Sequence, residues 1–349
     1  MSILIYGAYG YTGALTARMA VEQGLKPVLA GRDAARLETL AQALNLEARP
    51  VGLEDTAGLD QALDGMEVVL HCAGPFVSTC APMAAACLRT GTHYLDITGE
   101  IGVFEALAGR DEQARTKGVM LMPGVGFDVV PSDCLAAHVK RRLPEAVSLD
   151  LAIKLRGRAS GGTLKTMVQN IGRGGAIRKD GVIVRVPTGW RTRTADFGKG
   201  PEEVVSIPWG DVSTAFYSTG IPNIITYALY PEMMMTLIRR FNGVEGLLAR
   251  APAQRFLEWL VKRQPAGPTD AERERGQSLV WAQATDPAGR TATARYKGPE
   301  GYTLTAMASL EIARRVVGGG AQPGYQTPSR VFGPDFALSF GGTERIDLD

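Results

Sequence analysis

Gly7, Gly10 and Gly13 stand three residues apart in YGAYGYTGALT, after the apolar run ILIY and before a segment with helical spacing. Glycines there let the chain turn tightly and bring backbone to a ligand with no Cβ between them. A helix that begins at such a turn offers unpaired N–H groups and the positive end of its dipole, which suits phosphate. The spacing is GxxGxxG and not GxGxxG, so the glycines alone are a weak signal. Their place between a strand and a helix strengthens it. In this reading Gly7 follows the strand, Gly10 lies at the close approach, and Gly13 lets the helix pack on the sheet.

The end of the next strand carries LAGRD, with Gly31 and Arg32 where an acidic residue would bind a ribose 2′-hydroxyl. A carboxylate would repel a 2′-phosphate, whereas a guanidinium matches it in charge and fork geometry. Asp33 is accounted for as the cap of the helix DAARLETLAQAL. These residues favour NADP; the alternative is a solvated Arg32 with Asp33 as the acidic reader of the ribose. Further on, HCAGPF follows the fourth strand, with Gly74 and Pro75 at the carboxyl end of the sheet, where a small, rigid loop suits the nicotinamide riboside; a plain β–α turn stiffened by Pro75 is the alternative.

The elements that must position these groups alternate regularly over the first third. ILIY, KPVLAG, EARPV, MEVVLHCAG, HYLDITG and VMLMPG read as short strands separated by helical stretches. Such alternation predicts right-handed βαβ crossovers and a doubly wound parallel Rossmann sheet. From about residue 145 the rhythm changes. VSLDLAIKL, GVIVRVP and VVSIP alternate apolar and polar residues, and QSLVWAQATDPAGRTATARYKG reads as a hairpin with a DPAG turn. The expected fold class is α/β, with a second α+β domain built on a mixed or antiparallel sheet. Expected boundaries are 1–130 for the NADP-binding domain, 131–300 for the substrate domain, and 301–349 for a helix and tail returning to the first domain.

Composition narrows the function classes. The 349 residues carry 38 Lys and Arg against 36 Asp and Glu with no basic block, which argues against nucleic acid. Four cysteines without CxxC pairing or a His at zinc spacing point to no metal and to a reducing, cytoplasmic setting. The chain enters a strand directly, with no signal peptide and no bilayer-spanning run. No Tyr has Lys four residues later, and neither GxxxxGK[ST] nor GxSxG occurs. His71, on an apolar strand, reads as a core residue, and His138, beside Lys140, Arg141 and Arg142, as part of a solvated face.

Taken in order, GAYGYTG, CAGPF, YLDITGE, GFDVVPSD and SGGT resemble the saccharopine dehydrogenase-like oxidoreductases, most closely their trans-acting enoyl reductase branch. GYTLTA near residue 302 and TPSRVFG near 327 extend the resemblance over most of the chain. It implies an NADP-binding Rossmann domain, a substrate-carrying second domain, and hydride transfer from the nicotinamide. Carried over by motif, Gly7, Tyr9, Gly10, Tyr11, Thr12 and Gly13 hold the pyrophosphate, and Gly31 and Arg32 lie at the 2′-phosphate. Ala73, Gly74 and Pro75 approach the nicotinamide. Phe76, Thr98, Glu100, Ser132, Asp133, Ser160, Gly161, Gly162 and Thr163 are expected to line the substrate. Tyr94, Asp96, Asp128 and Lys165 are the candidates for catalysis. For the acids a plainer reading stays open: carboxylates in a first helical turn complement its dipole.

GIPNIITYALYPEMMMTLIRRF and LLARAPAQRFLEWLVKR are rich in apolar residues, with three consecutive Met. The stretch 221–263 reads as core helices, an adaptable pocket for a lipid- or polyketide-like small molecule, or a peripheral membrane contact. A homo-oligomer is compatible with all three. Two other functions compete with an NADPH-dependent enoyl-type reductase. One is a saccharopine-type oxidoreductase acting on the C–N bond of an amino-acid adduct, with Arg156, Arg158, Arg173 and Arg178 to meet its carboxylates. The other is a non-catalytic NADP-binding redox sensor.

Overall fold

Each short apolar run of the first third becomes a strand, because both faces of a parallel sheet are covered by its crossover helices. In chain order these are β1 (Ile3–Tyr6), α1 (Tyr11–Glu22), β2 (Val28–Gly31), α2 (Ala34–Leu44), β3 (Ala48–Pro50) and α3 (Thr56–Leu63). There follow β4 (Val68–His71), α4 (Phe76–Thr90), β5 (His93–Asp96), α5 (Ile101–Ala108), α6 (Asp111–Thr116) and β6 (Met120–Met122). The computed structural model describes residues 2–156, 174–230 and 267–348. The six strands lie in the order β3-β2-β1-β4-β5-β6, all parallel. The order reverses between β1 and β4, where a crevice opens at the strands' carboxyl ends. Four of these strands are buried throughout: β1, β2, β4 and β6.

After α7 (Val130–Arg142) the chain builds a mixed sheet from β7 (Ser148–Arg156), β8 (Gly175–Lys179), β9 (Val182–Val186), β10 (Thr192–Asp196), β11 (Pro201–Ser206) and β12 (Asn223–Ala228). The predicted hairpin forms β13 (Gln277–Thr285) and β14 (Thr291–Pro299), paired in register from Gln277↔Pro299 to Thr285↔Thr291. Its turn is fixed by the Asp286 carboxylate, which accepts from the N–H groups of Ala288 (2.9 Å) and Arg290 (2.8 Å). Among the described residues of this sheet only β7 and β12 run parallel; the other pairings are antiparallel. Ala152, Ala195, Phe197, Val204, Tyr227, Leu279 and Trp281 form a buried cluster against this sheet.

Two compact units result: Met1–Val130 with Tyr302–Val331, and Pro131–Gly301 with Phe332–Asp349. The tail therefore departs from the expectation that 301–349 returns whole to the first domain. Helix Gly301–Arg315 and β15 (Gly324–Tyr325) do join the first unit, β15 as a seventh parallel strand beside β6. Residues beyond Val331 join the second unit instead, where β16 (Glu344–Asp347) pairs with β14. Open strand edges bind any extended segment within reach, and the tail supplies one to each sheet. His138 is also not on a solvated face: it is 5% exposed, with Nε2 2.7 Å from the Asp347 carboxylate. Among the described residues no helix is long and apolar enough to cross a membrane. The Met-rich stretch 231–263 lies outside the described residues.

Candidate functional site

At the β1–α1 turn Gly7 takes φ +77°, and its N–H donates to the Ala30 carbonyl at 2.8 Å. A Cβ on Gly7 would sit 2.8 Å from the Ala73 Cβ and 2.9 Å from its backbone nitrogen. One on Gly13 would sit 2.5 Å from the Gly7 carbonyl oxygen. Two of the three glycines are thus demanded by the protein's own close packing at the crevice, and Gly10 caps the helix. Gly13→Ala is expected to cost about 1–3 kcal/mol through overpacking against backbone. Urea denaturation checks this, and an unchanged midpoint would refute it.

The helix starts differ in what satisfies their first-turn N–H groups. Asp33 caps α2, accepting from Arg36 N–H at 3.1 Å, and Asp55 caps α3, accepting from Gly58 N–H at 2.9 Å. At α4 the two carboxylate oxygens of Glu100 accept from Phe76 N–H (2.9 Å) and Val77 N–H (2.8 Å). Helix α1 has Gly10 as cap, no side-chain cap bond and no acid in its first turn. Its dipole end and close-packed glycines therefore suit a pyrophosphate, which would take the place that a carboxylate holds elsewhere.

Tyr9 links this turn to the end of β2. A Cβ on Gly31 would lie 2.6 Å from the Tyr9 ring, so Gly31 is there to seat Tyr9. The Asp33 N–H donates to the Tyr9 hydroxyl at 3.2 Å. Arg36 stacks over the ring with its guanidinium carbon 4.7 Å from the centroid, and donates to the Tyr9 carbonyl at 3.2 Å. Arg32 is exposed beside it. With Asp33 used as a cap, this end carries two guanidinium groups and suits a 2′-phosphate. Arg36 is absent from the residues singled out in the sequence, although a signal existed. A cation in the first turn of a helix opposes the dipole and calls for an anion nearby.

Across the crevice, the loop after β4 is pinned from below. The Thr79 hydroxyl donates to the carbonyls of Ala73 (2.7 Å) and Pro75 (3.2 Å), and His71 Nε2 lies 3.0 Å from that same hydroxyl. Burial pushes the His71 imidazole down to about 3, so it is neutral. With the Thr79 proton engaged, Nε2 is the donor. His71 is a core residue as expected, and it also holds up the loop. Phe76 is buried with its ring edge-on to His71, centroids 5.3 Å apart. The neighbouring Val77 is 61% exposed and offers apolar surface there. Glu100→Ala would leave the two α4 N–H groups without their carboxylate, at an expected cost of about 1–3 kcal/mol. A denaturation midpoint equal to wild type would refute that role.

The acids separate by environment. Asp96 is fully buried; Oδ1 accepts from the N–H groups of Thr98 (3.0 Å) and Gly124 (2.9 Å), and Oδ2 from the Tyr94 hydroxyl (2.6 Å). It ties the end of β5 to the loop after β6, and burial raises its carboxyl to about 6. Tyr94 is enclosed and its hydroxyl is engaged, with ionisation pushed well up by burial and by Asp96. This geometry speaks against Tyr94 and Asp96 as proton donors to a ligand. Thr98 is buried and accepts from Glu100 N–H at 3.1 Å, so it too is internal. Asp128 differs: it is half-buried, burial raises its carboxyl to about 7, and it lies against Gly99, where a Cβ would be 2.8 Å from Oδ2.

In the second unit, Ser132 donates to Asp211 at 3.0 Å and Asp133 accepts from the Ser218 hydroxyl, all within buried or half-buried surroundings. Both residues fasten α7 to helix Asp211–Thr219. Ser160, Gly161, Gly162, Thr163 and Lys165 lie outside the described residues. Tyr302, at the start of its helix, meets Tyr11 edge-on at 5.0 Å, and Thr305 accepts from Phe127 N–H at 3.0 Å. These contacts explain why GYTLTA belongs with the glycine turn. Among the described residues no cluster of His, Cys, Asp or Glu could hold a metal ion.

Residues 3–122 match the family model of the saccharopine dehydrogenase NADP-binding domain. The chain is 36% identical over 152 residues to a trans-acting enoyl reductase of Mycobacterium leprae (strain TN), covering 41% of this chain and 36% of that protein. It is 27% identical to the trans-acting enoyl reductase of Mycobacterium ulcerans (strain Agy99), over 89% of this chain and 86% of that protein. Among solved structures, saccharopine dehydrogenase (L-Glu forming) from Saccharomyces cerevisiae superposes with a TM-score of 0.67 at 13% identity, over 99% of each chain. Homospermidine synthase from Legionella pneumophila, solved in complex with NAD, gives 0.68 at 8% identity, over 99% of this chain and 91% of that one. At such identities the structural likenesses establish the fold. The first unit has a Rossmann sheet, its residues 3–122 are similar to the saccharopine dehydrogenase NADP-binding domain, and the resemblance read from the motifs is borne out.

Proposed function

We propose that the chain is an NADPH-dependent reductase of a polarised C=C bond, acting on an apolar, enoyl-type small molecule. The observation that carries this reading is the α1 start, which lacks a carboxylate of its own, set beside Arg32 and Arg36 in the unit that also holds Asp128. The names of the mycobacterial relatives support the same reaction class. NADPH, when bound, supplies hydride; the chain must orient the acceptor carbon and provide a proton for its neighbour. Backbone of Gly10 to Gly13 and the two arginines would hold the phosphates. The 73–75 loop, stiffened by Thr79 and clamped through Glu100, would support the nicotinamide side. Asp128, with its carboxyl raised to about 7, is the acid that stays partly protonated at neutral pH and is our candidate donor.

A saccharopine-type reaction would need cations to receive substrate carboxylates. Of the arginines considered for this, Arg178 is buried and donates to the carbonyls of Val212 (2.9 Å) and Gly181 (2.7 Å) while stacking on Phe216 at 4.2 Å. It is a structural residue. The test is NADPH oxidation measured against 2-enoyl thioesters, saccharopine-like adducts and no acceptor. Turnover with the enoyl compounds supports the proposal. Turnover with the adducts alone would replace it with the C–N reaction, and NADPH binding without turnover on either would favour the redox sensor.

A further inference from the structure

The second unit has a concavity of its own, about 210 Å³, on the face of the mixed sheet under the β10–β11 turn. Four cations line it, Lys154, Lys199, Arg295 and Lys297, against two carboxylates, Glu202 and Glu344. The register places the charges deliberately close. Lys154, Leu279, Lys297 and Glu344 are direct cross-strand neighbours on β7, β13, β14 and β16, so all four share one face. Arg295 lies two residues before Lys297 on that face of β14.

Internal pairing leaves this charge unbalanced. Lys154 is 8% exposed, bonded to Glu202, and lies 5.6 Å from the centre of the Phe197 ring. Arg295 has Asp196 only at 3.7 Å. Lys199 and Lys297 are exposed, and neither forms an ion pair among the described residues. Lys199 is nonetheless positioned. The Asp196 carboxylate accepts from Gly198 N–H (2.7 Å) and Gly200 N–H (3.1 Å), and both glycines are left-handed, at φ 105° and 94°. The turn that carries Lys199 is therefore built in advance. A cleft lined mainly by one sign focuses its field and concentrates counter-ions.

We propose that this concavity binds a phosphate dianion, either free or as a small phosphate monoester. The four cations outnumber Glu202, Glu344 and the Asp196 carboxylate beside Arg295 by one, and the two exposed lysines that form no ion pair among the described residues face the site. Arg295 offers a forked donor, and the lysines converge as point charges, the arrangement that selects phosphoryl oxygens. The residues lining the site all belong to the second unit, whereas the glycine turn belongs to the first.

The test titrates inorganic phosphate into full-length protein saturated with NADP, at ionic strength held constant with chloride, using calorimetry. Saturable binding is expected, weakened about tenfold or more in the Lys199→Ala, Lys297→Ala double variant through loss of charge-assisted bonds. NADP affinity should not change in that variant. Absence of saturable binding overturns the proposal, as does equal binding by wild type and variant, which would place phosphate elsewhere. Sedimentation with phosphatidate vesicles but no binding of free phosphate would also overturn it, in favour of a membrane surface.

Discussion

The double variant Arg32→Ala, Arg36→Ala is expected to bind 2′,5′-ADP about 10²–10⁴-fold more weakly than wild type, since each charged hydrogen bond to phosphate is worth roughly 1.5–3 kcal/mol. Affinity for 5′-AMP, which lacks the 2′-phosphate, should hardly change. Calorimetry on the protein without cofactor measures both and does not depend on identifying the substrate. The argument rests on how this end of β2 is built. Asp33, the acid that could read a ribose hydroxyl, is engaged in capping α2. Arg36 is held over Tyr9 by stacking and by its bond to the Tyr9 carbonyl, so little of its side-chain entropy remains to be lost on binding. Arg32 alone is expected to give a smaller effect than the pair, because two cations facing one dianion share its charge. Equal affinities of the wild type for 2′,5′-ADP and 5′-AMP would refute the 2′-phosphate assignment altogether.

What the sequence made legible here follows the range of the interactions concerned. The parallel sheet was readable because each two-sided buried strand is a short apolar run, as in ILIY and VVLH. The Asp33 cap was readable because donor and acceptor lie three residues apart. Glu100 is expected from its motif to line the substrate, and in the fold it caps α4, whose first N–H groups lie 24 and 23 residues earlier. Ser132 meets Asp211 across 79 residues and His138 meets Asp347 across 209, separations at which local pattern carries no information. The tail is expected to return whole to the first domain, yet it supplies one short strand to each sheet. Strands of two and four residues at sheet edges are specified by the edge they join and not by their own periodicity.

The same distinction bears on the proton donor, where burial and not spacing separates the carboxyls. Asp128→Asn is expected to lower kcat for the enoyl-type reaction about 10²–10⁴-fold, the usual contribution of a positioned general acid. NADP affinity should be retained. The pH profile carries the sign. Burial raises the Asp128 carboxyl to about 7, so the donating form prevails below that pH and the wild-type rate should fall as pH rises through it. Asparagine cannot titrate, so the residual activity of the variant should lose that limb. Stability gives a second readout. Between the ordinary carboxyl range and about 7 the folded state holds a proton that the unfolded state has released, so wild-type stability declines with rising pH over this window. The variant should decline less. Asp96 is the internal control: its three hydrogen bonds make Asp96→Asn primarily a stability variant, because an amide nitrogen would face donors now bonded to carboxylate oxygen. If Asp128→Asn kept wild-type kcat and the same pH limb, the proton would have to come from another group, and Asp128 would be left with a packing role against Gly99.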